Sequence, residues 1–107
     1  MNIYISAPIT GCSDAECEMK FNKAKNEIIK REHFPVSPWD ISKMLPRTFE
    51  HSDYLAVDFE VLKRCDAVLF LDGWEESEGC RKERGWCYLL DIDVYDDIRE
   101  VPHDTVS

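Results

Sequence analysis

The chain has 107 residues, a formal net charge of −9 at pH 7, 44% hydrophobic residues and 33% charged residues. Because nucleic-acid backbones are bound by basic surfaces, this charge argues against a nucleic-acid partner and leaves small molecules as the expected ligands. No apolar run approaches the roughly 20 residues of a membrane span, and the opening MNIYIS lacks the basic region of a signal peptide, so we expect a cytoplasmic protein with no membrane partner.

Seven elements alternate between β-rich and helical patterns along the chain. Short apolar or β-branched runs predict the strands, and apolar residues at three- and four-residue spacing predict the helices. In chain order we expect a strand at 2–6, a helix over about 14–32, a proline-broken edge strand at 34–38, a helix from Ser52 or Asp53 to about Arg64, a central strand at 67–71, a helix from Ser77 to about Leu90 and a strand at 92–95.

This alternation predicts a doubly wound α/β fold in a single domain over residues 1–107. We expect a parallel sheet of about four to five strands between two helical layers, a three-layer αβα arrangement of the flavodoxin or Rossmann kind. Residues 39–50 are expected to be irregular, and the polar tail from about Asp96 to be held loosely unless a partner subunit orders it. Ligands of such folds bind outside the carboxyl ends of the strands.

The cysteines and histidines predict neither disulfides nor a metal site. The five cysteines are odd in number and include no C-x-x-C pair, so we expect reduced thiols, and Cys65, Cys80 and Cys87 fall on apolar stripes as packing residues do. The three histidines are not paired with cysteines at zinc spacing. No cofactor is predicted.

Two acidic residues fall inside the apolar stripes of consecutive helices. Glu83 lies three residues after Cys80 and four before Cys87, and Asp58 has the same relation to the leucines on either side of it. Burying an unpaired carboxylate costs several kcal/mol, so two such positions beside one central strand require an explanation.

Three explanations remain open. Asp58 could form an ion pair with Lys63 or Arg64, and Glu83 one with an arginine of a neighbouring element. Both acids could instead lie at a wet cleft. The third explanation is catalytic, because two carboxyl groups roughly 5 Å apart suit retaining glycosyl transfer, in which one attacks the anomeric carbon and the other handles the proton of the leaving group.

The segment Gly73–Gly79 ends the central strand and opens the last helix. Ser77 is a natural N-cap, and it could equally bind a phosphate or hydroxyl group together with the free N–H groups of the helix N-terminus. Gly79 costs about 1 kcal/mol relative to alanine near a helix start, which makes sense where a ligand approaches the backbone closely. Trp74 either stacks on a base or covers the edge of the core.

Two motifs carry a family resemblance over about residues 2–95. YISAPITG at 4–11 and DFEVLKRCDAVLFLDGWEESEGCRKE at 58–83 resemble the nucleoside 2-deoxyribosyltransferase-like superfamily. The chain is most similar to its short phage and bacterial branch, DUF4406-like, which carries YISGPITG and GWExSxGAxxE. Departures are Ala7 for the usual glycine, Cys80 for the usual alanine, and the lack of a basic residue in the first motif, where monophosphate-specific relatives can carry arginine.

The resemblance implies roles for individual residues. Glu83, four residues after the motif glycine, matches the nucleophile, and Asp58 matches the aspartate that serves the base. Serine two residues before that glycine is typical of members that act on 5′-monophosphates. The substrate-binding residues implied by the resemblance and by the loop are Tyr4, Ser6, Gly11, Gly73, Trp74, Ser77 and Gly79.

The implied activity is cleavage or transfer of the N-glycosidic bond of 2′-deoxynucleosides or their 5′-monophosphates through a glutamate glycosyl-enzyme. The resemblance also implies a small-molecule nucleoside or nucleotide as partner, a homo-oligomer, and a bacterial or phage-encoded protein. Two other functions remain open. One is a non-catalytic module that senses a nucleotide in the same pocket, and the other is a scaffold that uses its acidic surface, although a scaffold has no need of inward acids.

Overall fold

Four parallel strands form the central sheet of the structure, a computed structural model that describes residues 1–103. They are β1 (Asn2–Ser6), β2 (Phe34–Val36), β3 (Ala67–Phe70) and β4 (Asp93–Tyr95). Their spatial order is β2-β1-β3-β4, and the register pairs Tyr4 with Val68 and Ser6 with Phe70 across the two central strands.

Helices connect these strands. They are α1 (Asp14–Lys30), α2 (Pro38–Ser42), α3 (His51–Leu62) and α4 (Glu78–Leu90), with 3₁₀ turns at Trp74–Glu76 and Ile98–Glu100. The hydroxyls of Ser13, Ser37 and Ser77 cap three helix N-termini by accepting the backbone N–H three residues further on. Within residues 1–103, none of the helices has the length and apolar character that a membrane span needs.

The core has two halves, one on each face of the sheet. Alternate residues of β1 and β3 point to opposite faces, and both faces are covered, so every residue of the two strands except Asn2 is buried. On one face the stripe of α1 packs with Ile3, Ile5, Ala67 and Leu69; on the other, residues of α3 and α4 pack with Tyr4, Val68 and Phe70. All five cysteines are free, and four of them are buried.

The expected three-layer doubly wound fold is therefore confirmed, with four strands in the sheet. From β1 the chain crosses to β2 on one side and then returns to β3 on the other. The strand order thus reverses between β1 and β3, and ligand sites in open α/β sheets lie outside the carboxyl ends of the strands at such a point. The ends of the predicted elements differ from the observed ones by at most two residues.

Residues 39–50 are not wholly irregular, contrary to the expectation. The short helix α2 begins inside the predicted edge strand, because Ser37 supplies a cap and Pro38 occupies the first helical position, where its missing N–H costs nothing. The next helix begins at His51, one residue earlier than expected. Its start is fixed by Asp53, whose carboxylate accepts the Glu50 N–H at 2.8 Å.

The expectation of a loosely held tail is wrong for residues 96–103. Val101 is only 2% exposed and belongs to the core half that contains α1, and its carbonyl oxygen accepts a hydrogen bond from Arg31 Nε at 3.1 Å. The Glu100 carboxylate accepts the N–H groups of Asp96 and Asp97 and so closes the turn before it. The last part of the predicted tail, 104–107, lies outside the described residues.

Candidate active site

A cavity of about 760 Å³ opens at the carboxyl ends of β1 and β3, where the strand order reverses. The segment 7–10, which follows β1, forms one wall. The inner face of α3 forms another, and the segment from Gly73 into the first turns of α4 forms the third. Asp58 and Glu83 both line this cavity, so two acids far apart in sequence face one space.

Glu83 is the more deeply buried of the two acids. It lies in α4 and is 7% exposed, and its carboxyl group reaches the carboxyl end of β1. There the hydroxyl of Ser6, which is fully buried, donates a hydrogen bond to Glu83 Oε1 at 3.0 Å. This contact orients the carboxyl group.

Tyr4 faces Glu83 from the same side of β1 as Ser6, since residues two apart on a strand point to one face. Burial, followed by the charges of Glu83 and Asp58, raises the pKa of the Tyr4 hydroxyl well above 10, so this group stays protonated and can donate to an ionised carboxylate. The nearby Tyr4 hydroxyl lowers the pKa of Glu83. Within residues 1–103, however, this hydroxyl forms no hydrogen bond. The Tyr4 hydroxyl is therefore a buried donor poised beside a carboxyl group.

Asp58 is half-buried on α3 and forms no ion pair with a lysine or arginine within residues 1–103. Lys63 and Arg64, the partners considered from the sequence, instead bind Glu60 at 3.0 and 2.8 Å. Across residues 1–103, neither Asp58 nor Glu83 takes part in an ion pair. The structure thus removes the ion-pair explanation for both acids.

Burial is the main cause of the raised pKa of both acids, and different neighbouring groups oppose it in each case. Burial raises the pKa of Glu83 to about 7, with the charge of Asp58 acting in the same direction and the nearby Tyr4 hydroxyl and the hydrogen bond from Ser6 opposing it. Burial raises the pKa of Asp58 to about 6 against the opposing charge of His51. Both pKa values are therefore shifted toward neutral pH, as is common for carboxyl groups of active sites.

Glycine and serine shape the wall of the cavity at 73–79. Gly73 has φ +90°, and a Cβ there would meet Pro8 Cγ at 3.4 Å, so the turn requires glycine. The Ser77 hydroxyl accepts the Cys80 N–H at 3.3 Å and so caps α4. A Cβ at Gly79 would meet only Ser77 Oγ at 3.9 Å. Packing within the protein therefore leaves room for a side chain at Gly79, and the backbone there is open to a ligand.

Four of the seven expected binding residues lie outside the cavity lining: Tyr4 and Ser6, which are fully buried, and Gly11 and Trp74. Gly11, with φ +86°, occupies an exposed turn after β1. Trp74 packs edge-on against Phe70 at 5.6 Å between ring centroids, and the Arg84 guanidinium lies 4.1 Å from its ring centroid. Of the two roles considered for Trp74, this geometry supports the cover of the core edge.

The structure adds cavity residues that the sequence reasoning did not name. His51, Tyr54 and Leu55 line the cavity from the same face of α3 as Asp58. Leu55, Tyr54 and His51 lie three, four and seven residues before Asp58, and this helical spacing is the signal in the sequence that places them on its face. From the sequence, Leu55 is expected only as part of the buried stripe. In the part of the chain that the structure describes, no three His, Cys, Asp or Glu side chains form a metal-binding group.

Comparisons with known proteins agree with this architecture. A family model described as a domain of unknown function, DUF4406, matches residues 1–95. The chain belongs to the DUF4406 family. Its fold is also that of a solved 2-deoxyribosyltransferase from the psychrotolerant bacterium Bacillus psychrosaccharolyticus, with a TM-score of 0.69 and 19% identity over 88% of this chain and 69% of that one. No curated protein matches the DUF4406 chain.

Proposed function

We propose that this DUF4406 protein cleaves or transfers the N-glycosidic bond of 2′-deoxynucleosides or their 5′-monophosphates through a glycosyl-enzyme at Glu83. The observation that carries the proposal is that Glu83 and Asp58 line one cavity and that neither forms an ion pair with a lysine or arginine in residues 1–103. The similar fold of a transferase described as a biocatalyst for nucleoside synthesis supports it. The cavity volume of about 760 Å³ lies within the usual range for small-ligand sites.

In the first step, an ionised Glu83 oxygen attacks C1′ of the sugar. A bond forms between that oxygen and C1′ while the bond from C1′ to the base nitrogen breaks, and the electron pair leaves with the base. Asp58 donates a proton to the departing base, directly or through one water. The Ser6 hydroxyl holds the carboxyl group of Glu83 in place during the attack, with the Tyr4 hydroxyl beside it.

In the second step, the glycosyl ester at Glu83 is broken. Water attacks C1′ to give hydrolysis, or a second base attacks to give transfer, and the now ionised Asp58 accepts the proton of the attacking group. Productive binding requires Glu83 ionised and Asp58 protonated.

The walls of the cavity supply the binding surface for the sugar. Ser77 and the first amides of α4 hold the 5′ end, and the open backbone at Gly79 allows close approach. The proposal includes a homo-oligomer in which a neighbouring subunit closes the cavity. It also assigns the protein to a bacterial cell or to a phage. Oligomers of this kind suit a chain with so small a core.

The direct test is release of free base from a panel of 2′-deoxynucleosides and their 5′-monophosphates, followed by chromatography. We expect base release by the purified protein, and a mass increase of one deoxyribosyl group on the peptide containing Glu83 when the reaction is quenched early. Saturable binding without base release and without this adduct would instead identify a non-catalytic nucleotide-sensing module.

Asp58→Asn should slow base release about 10²- to 10⁴-fold, because asparagine cannot protonate the leaving base. The loss should shrink strongly for an N7-methylated purine deoxynucleoside, whose base is already cationic and leaves without a proton. The measurement is kcat/KM for both substrates. An equal loss for the two substrates would contradict the role of proton donor and leave Asp58 with a purely structural one.

A further inference from the structure

The charged side chains at the cavity are almost all acidic. Besides Asp58 and Glu83, the lining includes Glu76 and Glu78, which are exposed at the mouth beside the start of α4. His51 is the sole lining residue in the described part of the chain that can carry a positive charge. A ligand that enters this cavity therefore passes two carboxylates before it reaches the buried pair.

Cations near the mouth are directed elsewhere. Lys20 lies behind the wall formed by 7–10, with Nζ in contact with the Pro8 carbonyl oxygen and 3.3 Å from Cys12 Sγ. Arg81 Nη1 donates to the Glu75 carbonyl oxygen at 2.8 Å, and Lys82 lies 3.4 Å from Glu78 on the exposed side of α4. Neither Arg81 nor Lys82 lines the cavity. The ion pair of Lys82 is exposed and offsets only part of the charge of Glu78.

One positive feature does point into the cavity, the N-terminus of α4 with its Ser77 cap. The macrodipole of a helix is equivalent to about half a positive charge at this end. Glu76 and Glu78 are the sequence neighbours of Ser77, and together they bring two formal negative charges to this end of the helix. A 5′-phosphate adds a further charge of about −1.5 to −2 at neutral pH, so it meets net repulsion there.

We propose that Glu76 and Glu78 form an electrostatic filter that selects neutral 2′-deoxynucleosides and rejects their 5′-monophosphates. The inference rests on the proposed function and narrows its substrate class. It assigns Ser77 to the 5′-hydroxyl of the sugar, in contrast to the phosphate-binding role that serine at this motif position implies by resemblance. Two carboxylates within several ångströms of a phosphate can produce at least a tenfold preference even in a well-solvated mouth.

The test compares kcat/KM for a deoxynucleoside and its 5′-monophosphate at low and high salt. The wild-type ratio should favour the nucleoside at least about tenfold at low ionic strength and should fall as salt screens the mouth. The double variant Glu76→Gln/Glu78→Gln should bring the ratio close to one by increasing kcat/KM for the monophosphate. Glu75→Gln is the matched control, because its exposed side chain lies in the same turn but outside the cavity lining, and it should keep the wild-type ratio.

Equilibrium binding separates this inference from the proposed function. If neither compound releases base, the glycosyl chemistry fails. The filter would still be supported if the wild-type protein binds the nucleoside more tightly than the monophosphate and the double variant binds the two equally. The filter is overturned if wild-type protein binds or cleaves the monophosphate as well as the nucleoside at low salt. It is also overturned if the double variant leaves the ratio unchanged, or if the nucleoside does not bind.

Discussion

Glu83→Gln should reduce base release from a 2′-deoxynucleoside by about 10⁴-fold or more. Glutamine nearly matches the shape of glutamate and can keep the contact with Ser6, but its amide cannot form the glycosyl ester. The variant should therefore fold and bind substrate while the chemical step is lost. Single-turnover release of base, measured by rapid quench and chromatography, checks the prediction.

Two controls make the loss of activity specific. Glu75→Gln carries the same chemical change outside the cavity lining and should retain full activity. Glu83→Ala leaves space at C1′, so added azide should restore base release and yield an azido sugar of inverted stereochemistry relative to the transfer product. Undiminished release by Glu83→Gln would assign the nucleophile to another group.

The position of the two acids was predictable because it depends on local periodicity. Each acid falls at a step of three or four within an apolar stripe, and α3 and α4 pack against the same face of the sheet. Adjacent helices on one face must bring their inward residues near each other at the strand ends. Ser6 and Tyr4 both face the candidate site, because residues two apart on β1 point to the same side of the sheet.

Other features depend on contacts that no local pattern encodes. Val101 is one of two branched apolar residues, with Ile98, in an otherwise mostly polar segment, and its burial arises from α1 and from Arg31, which is 70 positions away in sequence. The sequence allows two roles for Trp74, and only its contacts with Phe70 and Arg84 favour the structural one. The start of α2 did have a local signal, Ser37 followed by Pro38, but a proline-containing strand explained the same letters.

The stability of the wild-type protein should fall between about pH 5 and pH 8. The folded pKa of Glu83, about 7, exceeds its ordinary value of 4.5, so the folded protein binds more protons than the unfolded chain in this interval. Stability from this group is fully present below about pH 4.5 and is lost as pH rises through 7. The difference corresponds to about 3 kcal/mol, and Asp58, whose pKa is also raised, acts in the same direction.

Glu83→Gln should flatten this dependence and should raise the free energy of unfolding at pH 8 by up to about 3 kcal/mol, with little change at pH 5. Urea unfolding at several pH values from 5 to 8 measures the effect, with Glu75→Gln as control. An acid retained for an ion pair would behave in the opposite way, since its removal would destabilise the protein most at pH 8. A variant that is inactive and more stable would therefore indicate that Glu83 is held unpaired for chemistry at the expense of stability.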